Sequence, residues 1–262
     1  MQVTRTLRVA LSAIAALSAA ASLTAHAAPP PAHPTPVKNV VLVHGLYADG
    51  SSWEKVIPLL QAKGLHVTSV QNPTTSLDAD VDAVKRALAQ QDGPAVLVGH
   101  SYAGMVITQA GDDPKVSGLV YIAARAPDAG EDYPALTRKF PAAPASAGLQ
   151  WFDGYGKLSE QAFVSDFAGD LPPREALAYY AVQQPMGKAI TMAKTTVAAW
   201  RDKPTWYAVS TEDRTINPDL ERFMAKRMQA HTIELPSSHV SLISHPQEVA
   251  NLILDAAGQS HN

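Results

Sequence analysis

The most informative stretch of the sequence is Val98-Gly99-His100-Ser101-Tyr102-Ala103-Gly104. It connects the apolar run 95–98, which predicts a strand buried on both faces, to a helix predicted over 102–110. A serine on such a sharp turn needs small residues two positions before and two positions after it, and glycine and alanine stand there. The turn presents the hydroxyl at the carboxyl edge of a sheet. The sequence therefore predicts that Ser101 is a nucleophile rather than only a helix cap.

The chain on both sides of this turn alternates between apolar strands and amphipathic helices. Further strands are predicted at 39–44, 66–70, 116–123, 206–209 and 232–235, and further helices at 51–63, 78–90, 219–228 and 247–256. Helices of this length between buried strands are typical of a mostly parallel sheet with helices on both faces. The expected fold class is a three-layer α/β fold.

The alternation is interrupted over residues 127–203, which we name the cap segment. Helices are predicted there at 159–167 and 174–183, and another ends near Trp200. The segment holds more than half of the chain's Phe, Trp and Tyr residues. We expect a mainly helical cap over Ser101 that encloses an apolar pocket, with most of these rings packing the cap onto the sheet.

The overall composition restricts the chemistry. Of the 262 residues, 21 are Lys or Arg and 24 are Asp or Glu, so the formal net charge is −3. This balance argues against a nucleic-acid-binding protein with a broad basic face. The chain has no cysteine, which excludes disulfides, thiolate metal sites and a cysteine nucleophile. The chemistry must use oxygen, imidazole or carboxylate groups.

The first residues have the pattern of an export signal. Arg5 and Arg8 precede an apolar run over 9–23, and Ala25-His26-Ala27 follows it. This pattern predicts a secretory signal peptide over 1–27, because the run is short for a bilayer span of about 20 apolar residues. Residues 28–36 are rich in proline and predict a tether, followed by one domain over 37–262. We expect an exported protein, periplasmic or secreted.

A serine nucleophile needs a base, and nine histidines are available. His239 follows the last predicted strand and thus lies at the same edge of the sheet as Ser101. His245 precedes a proline and is more typical of the start of the final helix. His100 is expected to point to the face of the sheet away from the nucleophile. We favour His239 and keep His245 as the alternative.

The acid that orients the base should follow another strand. Glu212 and Asp213 both follow the predicted strand 206–209, and Asp128 is a weaker candidate after the strand 116–123. The chain order serine, acid, histidine is that of α/β-hydrolase triads rather than that of chymotrypsin-like or subtilisin-like enzymes. The residues alone leave the choice between Asp213 and Glu212 open.

The turn after the first predicted strand supplies the other expected element of the site. His44-Gly45-Leu46 lies beside Ser101 if the strands 39–44 and 95–98 are neighbours. The backbone N–H groups of Leu46 and Tyr102 then form an oxyanion hole.

These motifs resemble the α/β-hydrolase fold, and especially its branch of bacterial carboxylesterases, plant methyl-ester hydrolases and hydroxynitrile lyases. The resemblance covers nearly the whole chain after the tether. It rests on the segments 41–45, 99–103, 211–214, 223–225, 238–239 and 244–246, together with Trp53 and Pro218. In that branch the aspartate two residues after the threonine is the triad acid, which selects Asp213. The histidine after the serine pair is the base, which supports His239.

The resemblance implies a serine carboxylesterase that acts on small, apolar or aromatic esters. It implies no metal, no organic cofactor, no nucleic-acid partner and no integral membrane association. Three alternatives remain: a hydroxynitrile lyase, a cofactor-free haloperoxidase or perhydrolase, and a non-catalytic binding protein. The lyases resemble this chain but have a lysine directly after the base histidine, where this sequence has Val240.

Overall fold

The computed structural model describes residues 37–259. The predicted signal peptide over 1–27 and the predicted tether over 28–36 lie outside this range, as do the last three residues of the predicted domain. No helix within 37–259 is both long enough and apolar enough to cross a membrane.

A six-stranded sheet forms the centre of the molecule. The strands of the described chain are β1 Asn39–Val43, β2 His66–Val70, β3 Ala95–His100, β4 Val116–Ile122, β5 Leu149–Phe152, β6 Tyr155–Leu158, β7 Met186–Gly187, β8 Thr205–Ser210 and β9 His231–Leu235. The central sheet has the order β2-β1-β3-β4-β8-β9, and every pair in it is parallel. The expected α/β fold class is therefore confirmed.

The register of the central strands explains where the site lies. Val43 of β1 pairs with Gly99 of β3, and Gly99 pairs with Tyr121 of β4. Parallel strands in this register end at one edge, so the turns after β1, β3 and β4 are neighbours. Every residue of β1 and β3 is buried, as their continuous apolar sequences require.

Helices cover both faces of the sheet. Those of the described chain are α1 Val56–Ala62, α2 Leu77–Ala89, α3 Ala103–Ala110, α4 Tyr133–Thr137, α5 Glu160–Ala162, α6 Pro173–Ala181, α7 Pro218–Arg227, α8 Ser241–Ser244 and α9 Pro246–Ala256. The predicted helix 51–63 is wrong in its first half, where a 3₁₀ turn, Gly50–Trp53, precedes α1. Pro58 explains the break, because proline is tolerated in the first turn of a helix but not in its interior.

The cap segment contains more strand than the sequence predicted. β5, β6 and β7 form an antiparallel sheet that was not expected. Asp153 and Gly154 join β5 to β6 with φ angles of 47° and 80°, and Asp-Gly with both φ values positive is a strong hairpin signal that the helical prediction overlooked. The helix expected to end near Trp200 is only a 3₁₀ turn, Ala199–Arg201. The helices expected at 159–167 and 174–183 are present, the first with a π-helical turn, Phe163–Phe167.

Candidate active site

Ser101 lies on a strained turn between β3 and α3. Its φ angle is +56°, a left-handed conformation that few residues other than glycine adopt. A Cβ atom on Gly99 would lie 2.8 Å from the Ala103 carbonyl oxygen, and one on Gly45 would lie 2.7 Å from the Ser101 Cβ. The turn after β1 therefore packs directly against Ser101, and only glycine fits at these two positions.

Ser101, His239 and Asp213 form a continuous chain of hydrogen bonds. The Ser101 Oγ atom is 2.7 Å from the His239 Nε2 atom, and the His239 Nδ1 atom is 2.5 Å from the Asp213 Oδ2 atom. The second Asp213 oxygen accepts from the N–H groups of Thr215 and Ile216 at 2.6 and 2.9 Å. The backbone thus holds the carboxylate, and the carboxylate holds the imidazole with Nε2 toward the serine.

The alternative acids and the alternative base lie elsewhere. Glu212 is exposed, and Asp128 pairs with Arg201. His245 is the N-cap residue of α9, where its Nε2 atom is 3.3 Å from the Pro236 carbonyl oxygen. Of the sequence candidates, the structure brings only Asp213 and His239 to the serine.

The prediction for His100 is wrong. Its Nε2–H group donates to the His239 carbonyl oxygen at 2.9 Å, and the centroids of the two rings are 4.8 Å apart. Burial lowers the pKa of His100 well below its usual value, and the neighbouring His239 acts in the same direction. His100 is therefore a neutral ring beside the imidazole of His239. The strained turn at Ser101 brings the end of β3 next to the loop after β9, which strand alternation alone does not reveal.

The N–H groups of Leu46 and Tyr102 belong to the two turns that meet at Ser101. Leu46 follows Gly45 in the turn that contacts Ser101, and Tyr102 caps the amino end of α3. Within residues 37–259 neither N–H group has a hydrogen-bond acceptor. Free N–H groups at a helix start attract negative charge that develops on a reacting oxygen.

The model of the alpha/beta hydrolase family matches residues 40–252, which is most of the chain. The chain belongs to the alpha/beta hydrolase family. It is 26% identical to a pyrethroid hydrolase of Sphingobium wenxiniae, over 84% of this chain and 88% of that protein. It is 25% identical to methylesterase 2 of Arabidopsis thaliana, over 84% of this chain and 96% of that protein.

Solved structures share the fold of this hydrolase. The crystal structure of polyneuridine aldehyde esterase superimposes with a TM-score of 0.72 at 21% sequence identity, over 83% of this chain and 98% of that one. At this identity the likeness shows the fold alone.

Glu221 lies beside the candidate acid Asp213, and sequence reasoning missed it. Its side chain is fully buried on α7, and one carboxyl oxygen accepts from the Ser210 N–H group at 3.1 Å. Burial and the neighbouring Asp213 carboxylate raise the pKa of Glu221 well above its usual value. The raised pKa favours the protonated form of Glu221 beside Asp213.

A small apolar cavity, of about 10 Å³, lies on the His239 side of the site. Its wall includes Phe163 and Phe167 from the π-helical turn and Val240 from the loop after β9. The centroid of the Phe167 ring is 5.1 Å from that of His239. This wall agrees with the expectation of an apolar surface supplied by the cap segment.

A second cavity, of about 260 Å³, lies beside the turn of Leu46 and Tyr47. Its wall also includes Arg125 and Tyr133 together with hydroxyl groups such as that of Thr215. The sequence predicted an apolar pocket and did not predict a cation in its wall. Arg125 follows β4 after a pair of alanines. An arginine within this apolar sequence is the signal from which a cation at the site could have been predicted.

Proposed function

We propose that this chain is an exported serine carboxylesterase that hydrolyses small esters with an apolar or aromatic part. The hydrogen-bond chain from Ser101 through His239 to Asp213 is the observation that carries the proposal. The esterases among its relatives support the reaction class. The apolar wall formed by Phe163 and Phe167 supports the substrate class.

The proposed reaction has two steps. In the first, the Ser101 Oγ atom attacks the ester carbonyl carbon while His239 Nε2 takes the hydroxyl proton. The N–H groups of Leu46 and Tyr102 stabilise the tetrahedral oxyanion, and collapse breaks the ester bond as the imidazolium protonates the leaving alcohol. In the second, His239 takes a proton from water as the water oxygen attacks the carbonyl carbon of the acyl-enzyme. Collapse then breaks the bond to Ser101, and the imidazolium returns the proton to the Ser101 Oγ atom as the acid leaves. Asp213 stabilises the imidazolium in both steps.

The test is hydrolysis of short-chain p-nitrophenyl esters by the purified protein and by the Ser101→Ala variant. We expect the substitution to lower kcat by at least about 10³-fold, because only binding and the oxyanion hole then remain. Mandelonitrile is included as a lyase substrate. Ester hydrolysis that is equal in the two proteins contradicts the proposal.

The matched control is Ser117→Ala, which changes a serine near the start of β4, where its Oγ atom donates to the Ala95 carbonyl oxygen at 3.1 Å at the opposite end of the strands from Ser101. We expect this variant to keep most of the esterase activity. Cleavage of mandelonitrile without ester hydrolysis favours the lyase alternative instead.

A further inference from the structure

Arg125 is held at a fixed position relative to Ser101. Its backbone N–H donates to the Ser101 carbonyl oxygen at 2.9 Å. A Cβ atom on Gly104 would lie 2.0 Å from the Arg125 carbonyl oxygen, so a glycine in α3 allows this close approach. The side chain of Arg125 therefore starts next to the nucleophile turn and extends into the wall of the second cavity.

The guanidinium of Arg125 has no anionic partner in the described part of the chain. Its Nε atom is shielded from solvent and has no hydrogen-bond acceptor, and none of the ion pairs over 37–259 includes it. The Arg125 Cζ atom instead lies 5.2 Å from the centroid of the Tyr133 ring and 5.8 Å from that of Tyr102. By contrast, ion pairs with carboxylates are made by Arg201, Arg214, Arg222 and Arg227.

Tyr133 presents a second donor without an acceptor at the same place. The residue is only 5% exposed, and its Oη atom has no hydrogen-bond partner within the described residues. Burial raises the pKa of Tyr133, so the hydroxyl keeps its proton at neutral pH. Buried donors usually have acceptors, because an unsatisfied one costs about 1–3 kcal/mol. Two unsatisfied donors on one wall indicate that the acceptor comes from a ligand.

The cavity beside Arg125 has the charge that suits an anion. Arg125 and Tyr133 line both the 260 Å³ cavity and an adjoining one of about 270 Å³. Neither set of lining residues contains Asp or Glu, while hydroxyls such as those of Ser146 and Thr215 are common to both. Leu46, whose N–H is proposed to stabilise the oxyanion, lines the second cavity, that of 260 Å³. An anionic group in this cavity is thus next to the reacting ester.

We propose that Arg125 and Tyr133 bind a carboxylate on the substrate, so that the preferred ester carries one free acid group in addition to its apolar part. This inference rests on the proposed esterase function. Arginine suits the role because its planar fork donates two parallel hydrogen bonds to a carboxylate, and the tyrosine hydroxyl supplies a third donor.

The experiment compares charged esters with neutral esters of the same shape. Monomethyl glutarate is paired with methyl 5-methylhexanoate, and 3-acetoxypropanoate with isopentyl acetate, so the carboxylate lies on the acyl side in one pair and on the alcohol side in the other. We expect kcat/KM for the charged ester to exceed that for the neutral one in at least one pair. Arg125→Met should lower this ratio by about 10- to 100-fold, as expected for the loss of a charge-assisted hydrogen bond.

Three further variants make the result specific to this site. Arg174→Met removes the same charge from an exposed position on α6 and should leave the ratio unchanged. Arg125→Lys keeps the charge without the fork, and Tyr133→Phe removes only the hydroxyl, so both should reduce the ratio by less than Arg125→Met. Circular dichroism and thermal melting establish that each variant is folded.

The outcomes separate this inference from the proposed function. If neutral esters are hydrolysed in a Ser101-dependent manner but the ratio is insensitive to Arg125, the carboxylate site is wrong and the esterase proposal stands. If no ester is hydrolysed, calorimetry of monomethyl glutarate with the Ser101→Ala protein still decides the matter. If the Ser101→Ala protein binds monomethyl glutarate and the double variant Ser101→Ala with Arg125→Met does not, the site is supported. If the Ser101→Ala protein does not bind it, or if the two proteins bind it equally, the site is overturned.

Discussion

At the scale of single residues, His239 is buried and held by hydrogen bonds at both ring nitrogens and at its backbone carbonyl. The imidazole lies between the Ser101 hydroxyl and the Asp213 carboxylate, and its own backbone carbonyl accepts from His100. Ser101 and Asp213 are each 5% exposed, and His239 is fully buried. In such a site a small displacement of the His239 ring lengthens its hydrogen bond to Ser101. We therefore propose that His100 positions His239 for the proposed reaction.

We expect His100→Phe to lower kcat for ester hydrolysis by about 10-fold or more while KM changes less. Phenylalanine keeps an aromatic ring at this position but leaves the buried His239 carbonyl without a donor, which costs about 1–3 kcal/mol. Steady-state kinetics with a short p-nitrophenyl ester measures the effect. His66→Phe, the same substitution at an exposed position on β2, is the control. A His100→Phe variant that is less stable but has unchanged kcat would show that the residue supports only the fold.

At the scale of elements, α2 is tied to the start of α3 through a buried carboxylate. The Tyr102 hydroxyl donates to Asp80 on α2 at 2.8 Å, and the Thr74 N–H group donates to the other oxygen at 2.7 Å. Burial raises the pKa of Asp80 to about 6, although these hydrogen bonds act in the opposite direction. The carboxyl therefore binds its proton more tightly in the folded chain than in the unfolded one.

This difference makes stability depend on pH. A carboxyl with a raised pKa contributes stability that is fully present below its unfolded pKa near 4 and is lost as the pH rises through about 6. We expect the Asp80 contribution to the free energy of unfolding to fall by roughly 3 kcal/mol between pH 4 and pH 7. Urea unfolding measures the free energy of unfolding of the native protein and of Asp80→Asn across this range, and the change with pH in the difference between the two proteins is the contribution of Asp80.

The matched control for Asp80 lies on the same helix. Asp82 is exposed, so Asp82→Asn should give a stability curve parallel to that of the native protein. If the Asp80→Asn curve is also parallel to the native one, Asp80 does not titrate differently in the folded state.

At the scale of the whole molecule, the cap segment is joined to the loops that carry Asp213 and His239. Arg214, which follows Asp213, pairs with Asp166 of the π-helical turn at 2.7 Å. Ser238, which precedes His239, donates to Asp170 at 2.5 Å and to the Phe167 carbonyl oxygen at 3.2 Å. Exposed ion pairs contribute little free energy, so we interpret these contacts as setting the position of the cap segment rather than its stability.

The proposed export also concerns the chain as a whole. We expect expression of the full chain in a bacterium with two membranes to give a periplasmic or secreted protein whose first residue lies near position 28. Amino-terminal sequencing and cell fractionation measure this. Replacing the apolar run with charged residues, for example Leu11→Glu together with Ile14→Glu, should keep the protein uncleaved in the cytoplasm. An uncleaved chain in the exported fraction would contradict the predicted cleavage.

Local sequence was sufficient for the sheet and for the sharp turn at Ser101. Continuous apolar runs indicate the strands 95–98 and 39–44, and small residues on both sides of Ser101 indicate the strained turn, so both signals lie in adjacent residues. The hairpin at Asp153 and Gly154 was within reach of the same reasoning, but the aromatic cap segment was interpreted as mainly helical. Its strand pairing over 149–158 and with Met186 depends on contacts that periodicity does not contain.

Residue patterns predict the alternation of strands and helices, the strained serine turn, and a serine, an acid and a histidine in that order along the chain, and the family resemblance selects Asp213 as the acid. The assembled fold is needed to show that the His100 ring lies against His239, that Glu221 lies beside Asp213, and that Arg125 and Tyr133 face a cavity without a partner among the described residues. Distance along the chain explains this difference. Strand propensity and turn strain act between near neighbours, whereas burial and unmet hydrogen bonds depend on elements that meet only when the sheet has formed.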